Sequence, residues 1–319
     1  MCDRRQLRFL FLLVALLAGL SALWMWQGLP ASANSFILKL RMVKLFGLIT
    51  VGAAVAVATM LFQTVAANRV LTPSIMGFDS LYVLLQTVLV FTLGVTGFVT
   101  LPVSVKFLAE VLVLCLLATA LFGTLLAGSA RDIPRMILTG VILGVFFRSL
   151  SGFLSRLIDP NTYAVVQSTS FASFNSIKPG ILPWAALISA LAIGAAWRLG
   201  PRLDVLALGR NVALPLGLRF DRMVVSTLAL VSVLVAVSTA LVGPVAFFGL
   251  IVAGLTHGLT RSARHRLMLP AAALIAANIL VGGQFLFERM LGQQATLSVV
   301  VEFAGGLFFL YLLIRGRVR

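Results

Sequence analysis

Apolar residues run along this chain in long blocks bounded by charge, proline or glycine, without the period-two alternation of a half-exposed β-strand. The blocks fall at roughly 9–29, 45–67, 80–100, 107–128, 134–157, 181–199, 223–242, 245–260, 267–290 and 296–314. Most approach the ~20 residues that a helix needs to cross hydrocarbon. Backbone amides in lipid must be paired within the segment or around a closed barrel, and these blocks are too long and too uniformly apolar for barrel strands. The pattern therefore predicts an all-α polytopic membrane protein of about ten transmembrane helices, a single transmembrane domain over residues 1–319.

Composition agrees: 61% of residues are hydrophobic and 11% charged, with a mean hydropathy of +1.10. A soluble domain carries about 25% charge. Net charge is +16, which in a soluble protein would suggest a nucleic-acid partner. Here it reads as topology. With the N-terminus inside, 17 of the 25 Lys and Arg residues fall on the inner side, among them Arg4, Arg5, Arg8, Arg69, Arg198, Arg202, Arg210, Arg264, Arg266, Arg315, Arg317 and Arg319. The outer side and the spans opening onto it keep the remainder, including Lys39, Arg41, Lys44, Arg148 and Arg289. That bias predicts both termini in the cytoplasm, a multi-pass protein of the cytoplasmic membrane, and no role for nucleic acid. The first block admits a second reading, because Arg4, Arg5 and Arg8 followed by an apolar run and Ala31, Ser32, Ala33 also fit a cleaved signal peptide. Its length and the interfacial position of Trp24 and Trp26 favour a span.

Candidate chemistry is sparse. No Gly-x-x-x-x-Gly-Lys-Ser/Thr phosphate loop occurs, so any use of ATP must come through a partner; no cofactor and no enzymatic activity of the chain itself are expected. His257 and His265 have no thiol or carboxylate at ligand spacing, and a surface or helix-end role is expected for both. Glu110, Arg148, Glu288 and Glu302 lie within apolar blocks, where a central charge costs at least about 2.5 kcal/mol. They mark a substrate or proton pathway, or they are paired and snorkelling at segment ends, the latter fitting Glu110 and Glu288 best.

The most unusual connection is residues 200–222, between the sixth and seventh blocks. Gly209 and Gly217 bracket one short helix-sized piece, with cations before and after it and several leucines within. Leucines on a loop that must lie in water need cover, either from a cytoplasmic partner or from the inner leaflet.

The spacing L-D-x-L-x-L-G-x-x-x-A-x-x-L-G over Leu203–Gly217 resembles the coupling region of the FecCD-like permeases, the iron-siderophore and cobalamin importers of the ATP-binding-cassette class. Four further stretches match in order: Arg41–Lys44 with Val51–Ala54, Gly243–Val252, Arg264–Pro270 and Gly305–Tyr311. The stretch Leu71–Ser80 is most similar to the shorter siderophore-type members. Departures are Arg210 and Asn211 in place of an acidic pair, Pro215, Ala253-Gly254 in place of Pro-His, Arg264 in place of Asp and Leu307 in place of Pro.

The resemblance implies an importer permease carrying an iron-siderophore complex, with two ATPase subunits below, a second permease, identical or homologous, beside it, and a substrate-binding protein above. It assigns ATPase coupling to Leu206, Leu208, Gly209, Arg210, Ala213, Leu216 and Gly217. Arg41 and Lys44 become candidates for docking the binding protein, or else interfacial anchors of the second span. Arg148, Asn161, Gln167, Asn175 and Glu302 are candidates for the translocation path, which would run along the fifth and tenth spans and the polar linker 159–180. The competing class is a proton- or ion-coupled secondary transporter using Glu110, Arg148 and Glu302.

Overall fold

The computed structural model describes residues 4–27, 35–129, 133–260, 262–290 and 297–314. Ala31, Ser32 and Ala33, and the basic residues Arg315, Arg317 and Arg319, lie outside the described residues. Among the described residues thirteen helices follow one another: α1 Arg4–Trp26, α2 Ser35–Ala66, α3 Phe78–Thr100, α4 Val103–Ser129, α5 Ile133–Leu157, α6 Pro160–Thr169, α7 Leu182–Arg198, α8 Gly200–Leu206, α9 Arg210–Ala213, α10 Phe220–Val242, α11 Phe248–Thr260, α12 His265–Met290 and α13 Leu297–Ile314. No strand occurs among the described residues. Each of the ten apolar blocks is a helix, and α6, α8 and α9 are the short pieces between them.

By length and composition seven of these helices can cross a membrane, eight if α7 and α8, bent by 61°, count as one broken span. The apolar stretches of α11 and α13 are shorter. At 1.5 Å per residue the 13 residues of α11 reach only about 20 Å, so the turn Gly243–Phe247 must supply the rest of that block's depth from within the protein.

Burial sorts the long helices into two classes. The membrane-length stretches of α2, α10 and α12 are 72%, 67% and 56% buried, against 22% or less for α1, α3, α4 and α5. These three form the axis of the bundle, with side chains such as Leu48, Phe62, Leu234 and Leu280 fully enclosed. The outer helices expose Phe11, Leu112, Val145, Phe153 and Phe303, an apolar exterior suited to hydrocarbon. Hydroxyls inside the axis are satisfied within their own helix: Thr227 donates to the Met223 carbonyl at 2.7 Å and Ser232 to that of Leu228 at 2.9 Å.

α2 spans the depth of the molecule and is pinned at both ends. Near its start, Arg41 donates to the carbonyls of Trp24, Met25 and Gln27 at 3.3, 2.8 and 3.0 Å, closing the carbonyls left open at the end of α1. One turn further on, Lys44 pairs with Glu288 near the end of α12, and Gln284 Nε2 donates to the same carboxylate oxygen at 2.9 Å. Glu288 was expected to snorkel beside Arg289, whose side chain lies outside the described ones; the partner found among the described residues is Lys44, 244 residues away. At the other end of α2, Thr64 meets His265 at the start of α12. Arg41 and Lys44, expected outside, thus lie near the start of α2, and His265, which Arg264 and Arg266 flank, lies at its other end.

The Lys44 and Glu288 side chains are 19% and 16% exposed, so removing one strands the other in a poorly solvated site. Glu288→Ala should lower stability in detergent by about 1–3 kcal/mol. Lys44→Met with Glu288→Leu should recover most of that loss, read by thermal unfolding. A single variant as stable as the parent would show that the pair is not a tie.

Candidate functional site

Two regions gather the sequence-predicted residues. The first is a polar cavity of about 380 Å³ between α3, α5, α6, the turn after α10 and α13. Three charged residues reach it: Asp79 from α3, Arg148 from α5 and Glu302 from α13, with Ser80, Ser151, Ser155, Tyr163 and Ser170 around them. The local cause is a close crossing of small residues. Gly77 precedes α3 with φ +89, and a Cβ there would sit 2.6 Å from the Gly144 Cα of α5. Gly140, one turn before Gly144, takes the Met76 side chain. A small-xxx-small face on α5 therefore lets α3 start against it, as small residues do between membrane helices. The crossing sets Arg148 Nη2 3.5 Å from Ser80 Oγ and Ser151 Oγ 2.8 Å from Thr87 Oγ1. Asp79 Oδ1 is buried and has no hydrogen-bond partner among the described residues.

Arg148 and Glu302, two path candidates, are thus brought into one space. Asn161, Gln167 and Asn175 are not: all three are exposed, while Tyr163, Val166 and Ser170 of the same linker line the cavity. Asp79 is the residue that sequence reasoning missed. Ser151 and Ser155 could have been found, since with Arg148 they form a 3–4-residue polar stripe on an otherwise apolar helix. Glu110 lies elsewhere, buried between α3 and α4, accepting from Gln86 Nε2 at 2.8 Å with Lys106 at 3.8 Å.

The second region is the connection from α7 to α10. α8 turns away from α7, then Gly209 (φ +84) and Gly217 (φ +80) bracket one turn of helix and a following turn. A Cβ at either glycine would meet nothing, so the requirement there is backbone conformation and not space. Leu203, Leu206 and Ala213 face inward and are buried, whereas Leu208, Val212, Leu214 and Leu216 are 57%, 48%, 47% and 61% exposed. Arg210 is held by Asp221 in a two-point ion pair at 2.5 and 3.2 Å and lies 5.6 Å from the Phe220 ring centre. Of the seven coupling candidates, then, Leu208 and Leu216 present apolar surface, Gly209 and Gly217 shape the turns, Leu206 and Ala213 anchor the piece, and Arg210 closes it onto α10.

The model of the FecCD transport family matches residues 7–315. The chain belongs to that family. It is 40% identical to the petrobactin import system permease protein YclO of Bacillus subtilis (strain 168), over 95% of this chain and 96% of that one. It is 32% identical to the petrobactin import system permease protein FatC of Bacillus anthracis, over 90% and 82%. A solved structure described as an inward-facing conformation of a metal-chelate type ABC transporter superposes with a TM-score of 0.82 at 22% identity, covering 97% of this chain and 99% of that one, which shows a common fold. FecCD chains are membrane-embedded transport subunits, without an ATPase site of their own.

Gly77→Ala tests the crossing that builds the cavity. The new methyl would collide with α5 backbone at a positive φ, and we expect a loss of about 2–4 kcal/mol in unfolding. Gly152→Ala on the same helix, where a Cβ meets nothing, should be nearly silent. Equal stability of the two variants would refute the close approach.

Proposed function

We infer that the chain is the permease subunit of an ATP-binding-cassette importer that moves an iron-siderophore complex of the petrobactin type across the cytoplasmic membrane. The observation that carries this reading is the 40% identity with a petrobactin import permease over nearly the full length of both chains. ATP is bound by two partner ATPase subunits, because this chain has no phosphate loop. They meet the exposed leucines of the α8–α9 segment, which lies at the end of the bundle rich in Arg69, Arg198, Arg202, Arg264 and Arg266, the side that the positive-inside bias assigns to the cytoplasm together with both termini. A second permease, identical or homologous, completes the conduit around the cavity.

Translocation follows from differential binding. ATPase states that prefer one disposition of α8 and α9 shift the permease between two conformations, and the cargo's access shifts with it. Arg148 and Glu302, joined by Asp79, line the path; Asn161, Gln167 and Asn175 lie on the exposed side of the linker whose inner residues line it. At the opposite end, Arg41 and Lys44 meet acidic lobes of a substrate-binding protein. A guanidinium carries five N–H donors, so Arg41 can hold α1 and face an acidic partner at once.

Three variants test the reading in cells expressing the whole importer, by co-purification and by uptake of radiolabelled iron as ferric petrobactin. Leu216→Asp should abolish co-purification with the ATPase, and Gly217→Val, which strains a left-handed backbone by about 1–3 kcal/mol, should abolish uptake with membrane level unchanged. Arg148→Gln should slow uptake without loss of assembly. Uptake that survives without the ATPase and collapses with the proton gradient would establish a secondary transporter instead.

A further inference from the structure

The α8–α9 segment is joined to the bundle by more than packed leucines. Asp204 of α8 points one carboxylate oxygen at the first residue of α12: Oδ1 accepts from the His265 backbone amide at 2.8 Å and from His265 Nδ1 at 2.7 Å. A carboxylate can only accept, so the ring carries a proton on Nδ1. The other nitrogen, Nε2, lies 2.7 Å from the Thr64 hydroxyl of α2, which also reaches the Met60 carbonyl at 2.8 Å. His265 was expected at a surface or helix end. It does begin a helix, but its side chain is only 6% exposed and bridges three helices, two of them members of the buried axis.

The same corner is fixed by two further contacts. Trp197 Nε1 of α7 donates to the Arg266 carbonyl at 3.1 Å. Gly200, at the bend into α8, leaves no room for a side chain, since a Cβ would stand 2.8 Å from Arg266 Cγ and 3.3 Å from the Arg266 backbone nitrogen. The other polar tie of the segment, Arg210 with Asp221, is largely exposed and reaches only the neighbouring α10. Exposed pairs of that kind hold little. The link through His265 is the less exposed one, with His265 buried and Asp204 34% exposed, and it leads to the helices that run the depth of the molecule.

We propose that Asp204, His265 and Thr64 form a positioning relay that makes α2 and α12 follow any movement of the segment contacted by the ATPase, and so keeps ATP hydrolysis tied to cargo movement. This rests on the importer reading above. Hydrogen bonds are directional where apolar contacts can slide. Breaking the relay therefore lets α8 shift with the ATPase while the axis stays behind, and the machine hydrolyses ATP without delivering iron.

The test uses the full chain assembled with its ATPase and binding protein in liposomes, with ferric petrobactin as cargo and ATP consumed per iron delivered as the readout. Thr64→Val, nearly isosteric, should raise that ratio by about two- to thirtyfold with the hydrolysis rate unchanged. Thr64→Ser should restore the parental ratio, which a purely packing role for Thr64 would not require. His265→Ala should uncouple at least as strongly; should that variant fail to accumulate, Thr64→Val decides. An intact, ATP-driven complex in which Thr64→Val keeps the parental ratio overturns the relay alone, whereas iron uptake by the chain with no ATPase bound overturns the importer reading and the relay with it.

Discussion

The hydrocarbon interior of a bilayer offers no hydrogen bonds, and almost every polar residue of this chain's long helices is explained by the partner it finds inside the protein. Gln86 meets Glu110, Lys44 meets Glu288, Asn278 Nδ2 reaches back to the Leu13 carbonyl of α1, and hydroxyls fold onto carbonyls one turn behind. These ties decide the arrangement more than apolar contact does, because leucine against lipid and leucine against leucine are nearly equivalent. They fasten α12 to α2 at both ends, and they hold α1 at two points, to α2 through Arg41 and to α12 through Asn278. Asp79 is the charged group with a buried oxygen left unpartnered among the described residues, where Gln86, Asn278 and Gln284 each leave only an amide oxygen so, and it lines a cavity already containing Glu302 and Arg148.

Block length and charge bias made the helical class and the ten helical segments legible, since both depend on local composition alone. The partners of the charged residues were not legible. Glu288 looked most simply paired with its neighbour Arg289, and only the antiparallel packing of α12 on α2 brings Lys44 to it. The cavity was half legible: Arg148 and Glu302 announce themselves as charges in apolar blocks, but Asp79 sits at a helix start, where an acid is ordinary. The mark that could have revealed it is Gly140 and Gly144, four residues apart on one helix, read together with Gly77. Asn161, Gln167 and Asn175 illustrate the converse. Polarity alone singled them out, while Tyr163, Val166 and Ser170 of the same linker line the cavity.

The coupling segment shows how a short stretch can be both deformable in its sequence and fixed in its shape. Gly209 and Gly217 adopt positive φ with open space around them, which gives tight turns without contacts that would resist a docking partner. Between them the anchors are buried and the leucines outward. Stiffness comes from elsewhere: from the Gly200 bend seated on Arg266 and from Asp204 capping the amide of His265. An open amide at a helix start carries partial positive charge, so the carboxylate is held by both hydrogen bonds and field.

The dimensions of the cavity constrain how the cargo can pass. At about 380 Å³ it lies at the small end of the roughly 300–1,000 Å³ of sites that enclose drug-sized ligands, and its walls come from only one side of the bundle. On the importer reading, a chelate large enough to wrap iron needs more room than this, which a second permease would supply. The residues that line it also argue against tight capture. One guanidinium and two carboxylates among several hydroxyls offer many weak, competing contacts and no enclosed, matched set. A conduit requires that balance: a site that binds its passenger strongly enough to admit it, yet weakly enough to release it on the other side.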